Sequence, residues 1–518
     1  MDNRIFLSDR YQAEICEKEN RFYSPVYIAL LSDGTENGRK LPQDVYKEYD
    51  GLGQGTRTVK TYFTTFEFKE KAAVAITLPR DVKKVVVKPE TSLTKYEYVD
   101  GIFSFEVEND TFFVIEPDGD IFGGLHVFCN KAKRIARDRK NIIVFPKGCY
   151  TAENCDYIHI NEHGVPVMDC IEDDTLIDIQ DGAVVNAAIE LIGVKNVKIV
   201  GTGILSLIDR VHGAGKGFAD ERMWGAFRYH AKPNVYIRSG CRDIEIEGVI
   251  LNCEFRGIVI RNSQDIVIRN VKMFTSTENG DGINCYNTSD LFVDSCYIQS
   301  ADDCFCMYNS CDSIPTLFDE GYEPVKAVCR RVEVKNCVMS SNARPVVLGG
   351  HATGCKNPRC VIEDIFIHDC RIIETPYRIF GNTEEYSRYW SGFLRLLSQS
   401  EQIVRRIRFK NIVVEVTAGH NGKPVHIEVR GGKNASYTET QGYRIEDISF
   451  ENITVRNHTE NLLPSLIKCR EPVDEKDDCV ISGIRFTNVT IGGSALTAKN
   501  ILCEGNVEDV EIACDRSK

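Results

Sequence analysis

Three acidic residues open the reading: Asp281 in Asn279-Gly280-Asp281-Gly282-Ile283-Asn284, and the pair in Ser300-Ala301-Asp302-Asp303-Cys304. Carboxylates held close together cannot all ionise easily, so one is pushed to stay protonated beside another that is charged. A protonated acid beside an ionised base is the pairing that glycoside hydrolysis uses. One carboxyl protonates the leaving oxygen and another activates water, with the two roughly 6.5–9.5 Å apart in the inverting geometry. Asp281 and Asp302 are 21 residues apart, which brings them together only if the chain returns on itself over that length. Read as ordinary turn residues, the three would instead form solvated bends. As oxygen ligands they would also suit Ca²⁺.

The surrounding sequence supplies the return. The unit apolar-x-apolar begins at Val197, Ile244, Ile266, Leu291, Val332, Ile365, Ile407, Ile448 and Ile484. Four residues after each start stand Gly201, Gly248, Asn270, Ser295, Asn336, Asp369, Asn411, Asn452 and Asn488, all types that suit a bend. Period-2 strands recurring at 22 and 25 residues where the loops are short describe a parallel β-helix, whose coils bury their inner faces only by stacking. Neighbouring coils lie about 4.8 Å apart, so Asp281 is expected beside Asp302 and Asp303. Cys296, Cys337 and Cys370 take the apolar position after the bend and are expected in the core as small hydrophobes. Cys304/Cys306 and Cys355/Cys360 lack paired metal-site spacing.

Ahead of the repeats, short strands punctuated by Gly, Asp, Asn and Pro predict an all-β sandwich. They are Tyr23–Leu31, Thr58–Phe68, Ala72–Leu78, Lys84–Lys88, Ile102–Glu108, Thr111–Glu116 and Leu125–Cys129. Lys131–Lys140 reads as a basic connector with a helical turn or two. The expected division is a sandwich domain over 1–130 and a β-helix domain over 131–518.

The run Ile244–Met307 resembles glycoside hydrolase family 28, the polygalacturonases, which are right-handed parallel β-helices. Asn279-Gly280-Asp281 matches their Asn-Thr-Asp, Ala301-Asp302-Asp303 their Asp-Asp signature, Gly350-His351-Ala352 part of Gly-His-Gly, and Arg378-Ile379-Phe380 part of Arg-Ile-Lys. The sandwich ahead of the β-helix is similar to family 49, the dextranases and isopullulanases of the same clan. The resemblance implies Asp302 as general acid, Asp281 and Asp303 as the pair that positions and deprotonates water, and His351 as the residue that orients the acid. It implies Arg378 at the substrate, joined by Asn279. Trp224, Tyr389 and Trp390 lie in long excursions that would wall one end of a groove, which favours exo action.

An inverting glycoside hydrolase acting on pectin-type or related saccharides is therefore expected, with no cofactor and no metal. Phe380 stands where the family has a lysine for the galacturonate carboxylate, which leaves open a neutral α-glucan hydrolase of the dextranase type. A β-helix polysaccharide lyase and a non-catalytic carbohydrate-binding β-helix are the further alternatives.

The whole-chain numbers fit this frame. The chain has 518 residues, 42% hydrophobic and 27% charged, the balance of a globular protein. Its net charge of −13 argues against nucleic acid, whose binding draws on a basic surplus. No apolar run is long enough to span a bilayer, so no membrane partner is expected. The start, Met1-Asp2-Asn3-Arg4, shows no leader pattern, and 21 scattered cysteines fit reduced thiols, so a cytoplasmic location is expected.

Overall fold

The computed structural model describes residues 7–32, 58–120, 123–162, 164–207, 233–253, 255–276, 280–309, 328–350, 360–375, 392–399, 402–415, 422–431, 443–456, 462–472, 475 and 477–513. Two five-stranded sheets come first. One runs in the order Asn20–Ser24, Gln12–Glu17, Ala72–Thr77, Ile102–Val107, Tyr96–Val99, and is antiparallel throughout. The other runs Val26–Ser32, Thr58–Phe68, Leu125–Lys131, Thr111–Pro117, Val85–Lys88. Alternation of apolar and polar residues along these strands turns Phe66, Phe68, Phe103, Phe105 and Phe113 into one core between the sheets. The expected strand Tyr23–Leu31 is divided at Pro25, which has no N–H for a ladder, and its two parts join different sheets. The expected helical turn in the connector is not found, since 132–138 is extended coil.

The expected right-handed parallel β-helix follows. Its strands form a sheet that runs from Asn141–Phe145 to Val510–Ala513 and a second sheet from His159–Ile160 to Ile501–Glu504. The nine repeat starts are paired coil to coil in one unbroken register, from Val197 with Ile244 through to Ile448 with Ile484. Val510 continues that file past Ile484.

The nine bend residues all have positive φ, from Asn270 at 51° to Gly201 at 117°. At Gly201 a Cβ would sit 1.9 Å from the Ile179 carbonyl oxygen, so only glycine fits. Where the bend is Asn, the side chain tolerates the left-handed backbone and hydrogen-bonds along the stack. Asn488 Nδ2 donates to Asn452 Oδ1 at 2.8 Å, Asn452 to Asn411 at 2.9 Å, and Asn411 to Asp369 at 2.8 Å. A second file of positive φ stands one residue before the nine repeat starts, at Asn196, Asp243, Asp265, Asp290, Arg331, Asp364, Arg406, Asp447 and Gly483. Inside the helix Phe409, Phe450 and Phe486 stack with centroids 5.0 Å apart. Cys296, Cys337 and Cys370 are buried there, as expected, and Cys304 and Cys306 are buried as well. Cys360 departs from the reduced-thiol expectation, being disulfide-bonded.

The sandwich is packed on the outer face of the strands that follow the bends from Gly201 to Asp369. Tyr27, Phe63, Val114 and Phe128 pack against Ile204, Ile250, Phe274, Tyr297 and Val338. Thr61 donates its hydroxyl to the Gly124 carbonyl, so it accepts from Nε2–H of His126, whose Nδ1 accepts from the Tyr297 hydroxyl at 2.7 Å. Burial pushes the His126 pKa down to about 3, which keeps the ring neutral for this role. Lys88 Nζ bridges Glu116 at 2.9 Å and Glu374 at 2.8 Å, all three buried.

The bend ladder is testable at Asn452. Asn452→Val forces a β-branched residue into the left-handed region and removes two side-chain hydrogen bonds, so urea denaturation is expected to show a loss of about 1–3 kcal/mol. Asn452→Gly keeps the backbone conformation free and is expected to cost less.

Candidate active site

The acids sit at the corner between the strand Tyr297–Ser300 and the strand Phe305–Tyr308, and at the matching corner one coil earlier, before Ile283–Tyr286. Register fixes how they meet. Ile258, Ile283, Phe305 and Val346 are paired in turn. Two residues before each stand Arg256, Asp281, Asp303 and Arg344. One column across four adjacent coils therefore carries the charges plus, minus, minus, plus. The backbone holds the column, with Gly257 N–H on the Asp281 carbonyl, Gly282 on Asp303 and Cys304 on Arg344, at 2.8–3.1 Å. Asp281 thus stacks on Asp303, with Asp302 beside the column.

The three acids are buried, with Asp281 5%, Asp302 7% and Asp303 2% exposed, so they are not solvated bends. Arg344 donates from Nε to Asp303 at 2.7 Å and from NH2 to Asp303 at 3.2 Å, and meets Asp302 at 3.3 Å. Tyr308, kept protonated by burial, donates its hydroxyl to Asp303 at 3.1 Å. Arg256 Nε pairs with Asp281 at 3.0 Å, and Asn284 Nδ2 donates to the same carboxylate oxygen at 2.5 Å. Burial raises the Asp281 pKa to about 6. Arg256 pulls it down, the Asp303 charge pushes it up, and Asn284 lowers it. The carbonyl of Asp302 accepts from Ser300 Oγ at 2.7 Å and Ser341 Oγ at 2.5 Å, which fixes the turn that carries the acid pair.

Ligand atoms of Asp281, Asp303 and Cys306 lie within 4.8 Å of one another, a spacing that would admit a cation. The donor set does not suit one. Arg256 and Arg344 already supply positive charge to both carboxylates, and burial pushes the Cys306 thiol well above its usual range, against the thiolate a metal would need. The cluster is a charge-compensated acid site.

Of the residues expected at the site, Asp281, Asp302 and Asp303 are brought together. His351, Arg378, Trp224, Tyr389, Trp390 and Asn279 lie outside the described residues, as does Phe380. Arg256, Asn284, Tyr308 and Arg344 were not anticipated. Their signal was available, since each holds a fixed offset from a repeat strand, but unequal coil lengths hide that offset until the register is known. A separate trough of about 1220 Å³ lies over the outer face of the first N-terminal sheet, floored by Ala73, Ala75 and Ser104. The carboxylates lining it are not buried, and it is on a different sheet from the acids.

Residues 156–317, which include all three acids, match the model of Glycosyl hydrolases family 28. Among solved structures the chain is similar to Dex49A from Penicillium minioluteum, at 14% identity over 98% of this chain and 94% of that one, with a TM-score of 0.54. It is also similar to a hyperthermoactive exopolygalacturonase from Thermotoga maritima, at 13% identity over 71% and 84%, TM-score 0.44. A polygalacturonase from Erwinia carotovora ssp. carotovora gives 14% over 72% and 99%, TM-score 0.42. No curated protein matches the chain in sequence. The likeness to Dex49A shows that the fold is shared over nearly the full length of both chains.

Arg344→Met takes the guanidinium away from two buried carboxylates and is expected to destabilise the protein by about 3–5 kcal/mol at neutral pH and above. The deficit is expected to shrink as falling pH removes the buried negative charge. Denaturant titrations of both proteins across pH measure this.

Proposed function

We propose that this protein is an inverting glycoside hydrolase that cleaves pectin-type or related oligo- or polysaccharides, acting from chain ends. The observation that carries the reading is the buried column in which Asp281 and Asp303 stack between two arginines, with Asp302 at its side. Such a site holds carboxyl groups in different protonation states near neutral pH, which single displacement at a glycosidic bond requires. Asp303 is gripped by two guanidinium nitrogens and a tyrosine hydroxyl, which orient its carboxyl toward the column. Asp281 is its partner in taking the proton of water. Asp302 meets the same guanidinium at a longer distance and is the general acid that protonates the leaving oxygen. The family-28 match over the segment that holds the acids supports this assignment. The neutral α-glucan alternative rests on the architecture shared with Dex49A, sandwich and β-helix together.

A panel of oligogalacturonides, rhamnogalacturonan fragments and dextran, followed by NMR of the newly formed anomer, tests the proposal. The expected result is turnover of one panel member with inversion and no ultraviolet-absorbing product. Asp302→Asn is expected to lower kcat about 10²–10⁴-fold with binding retained. Retention of configuration, an unsaturated product, or full activity in Asp302→Asn would each overturn the assignment.

A further inference from the structure

Asn284 has a place in this site that the acid trio alone does not explain. It lies on the strand Ile283–Tyr286, paired with Val259 on one side and Cys306 on the other. It is 0% exposed. Its Nδ2 donates to Asp281 Oδ2, while its Oδ1 is buried with no hydrogen-bond partner. Buried amide oxygens are almost always paired, and one left over beside a functional cluster asks for a donor. The carboxylate that Asn284 touches, Asp281, accepts and does not donate when ionised. The site is polar, and the facing atoms of Asp281, Asp303 and Cys306 lie within 4.8 Å of one another. A water between Asn284 Oδ1 and that pair of carboxyls would have two to four polar partners, the number that buried waters keep.

We propose that Asn284 is a positioning residue for the attacking water, an inference that rests on the hydrolase reading above. Through Nδ2 it fixes the Asp281 carboxylate, and through Oδ1 it accepts one O–H of the water. The other O–H points to the Asp281–Asp303 pair, which leaves an oxygen lone pair for the anomeric carbon. As the water oxygen bonds to that carbon, the pair takes the water's proton. The bond from the carbon to the leaving oxygen breaks, and that oxygen takes the proton of Asp302. An amide suits position 284 because it offers one donor and one acceptor without charge. A carboxylate there would add a third buried negative charge beside two arginines.

The test uses the full chain, with trigalacturonate and isomaltotriose as probes, and measures kcat and KM across pH. Asn284→Leu is nearly isosteric and removes both donor and acceptor. The expected result is a fall in kcat of about 100-fold, with KM changed by less than about threefold. The acid limb of kcat should also move upward, because Asp281 loses a donor that favours its ionised form. In Asn284→Asp the new carboxyl, while protonated, donates and accepts as the amide does. Activity should therefore return on the acid side and collapse as that proton leaves. A residue that only packs between Val259 and Cys306 gives neither shift.

Wild-type kcat and an unmoved limb in Asn284→Leu would overturn the proposal, as would a rise in KM alone, which would place Asn284 on the sugar. Should Asn284→Leu fail to fold, Asn284→Asp decides: an unshifted optimum overturns the proposal. Activity surviving in Asp302→Asn would strike the hydrolase reading instead, so the two failures are distinguishable.

Discussion

Every coil of this protein must climb by one inter-strand spacing and return to the same place, and two files of left-handed bends meet that constraint. A bend with positive φ is costly for most side chains and cheap for Gly, Asn and Asp, which is why those types recur there. The Asn ladder from Asp369 to Asn488 turns the requirement into cohesion, since the residue that tolerates the bend also bonds to the coil beside it. With the climb fixed, residues at one offset become neighbours however long the loops between them. That is how Arg256, Asp281, Asp303 and Arg344 come to share a column.

The column is an electrostatic compromise. Two carboxylates on adjacent coils repel, and burial strengthens the repulsion because little solvent screens it. Arginines on the two outer coils offset this, and the hydrogen bonds from Tyr308 and Asn284 complete the shells of the two acids. The compensation is incomplete at Asp281, whose pKa stays near 6. Buried ion pairs contribute little net stability compared with apolar packing of the same volume. The wall of the solenoid buries other charges too, Lys272, Glu374, Arg395 and Glu428 among them, and at this corner three carboxyls meet.

What could be read from the sequence follows the same logic. The repeat starts were legible because apolar alternation and a following bend recur together, and all nine fall in one register. The second bend file was not, because Arg331 and Arg406 stand in it among the aspartates and break the residue-type pattern. Asp281 and the Asp302-Asp303 pair were legible because only one short coil separates them. The 21-residue spacing placed Asp281 beside the Asp302-Asp303 pair, and the register, with Ile283 opposite Phe305, makes Asp303 the member directly in its column. Arg344 was hidden because the long excursion after Asn309 separates it from the acids it grips. Arg256 reads as an ordinary surface arginine until the register places it. In the sandwich, the strands Gln12–Glu17 and Tyr96–Val99 were missed, since both are short and polar enough to pass for loop.

The sandwich and the acids are mechanically connected through one short strand. Tyr297–Ser300 begins at a tyrosine that is packed against Phe128 and Phe274 and hydrogen-bonded to His126 of the sandwich. Its second residue, Ile298, faces the helix core. Its last residue, Ser300, donates to the carbonyl of Asp302. From Tyr297 to Asp302 is six residues of chain, held by sheet bonds, a core contact and side-chain hydrogen bonds. Catalysis by positioned carboxyls depends on holding them within a fraction of an ångström. A solenoid alone resists bending along its axis less well than one braced on a face. The sandwich packs on the face next to the acids and leaves the second sheet, which carries Asn284, Cys306 and Tyr308, beside them.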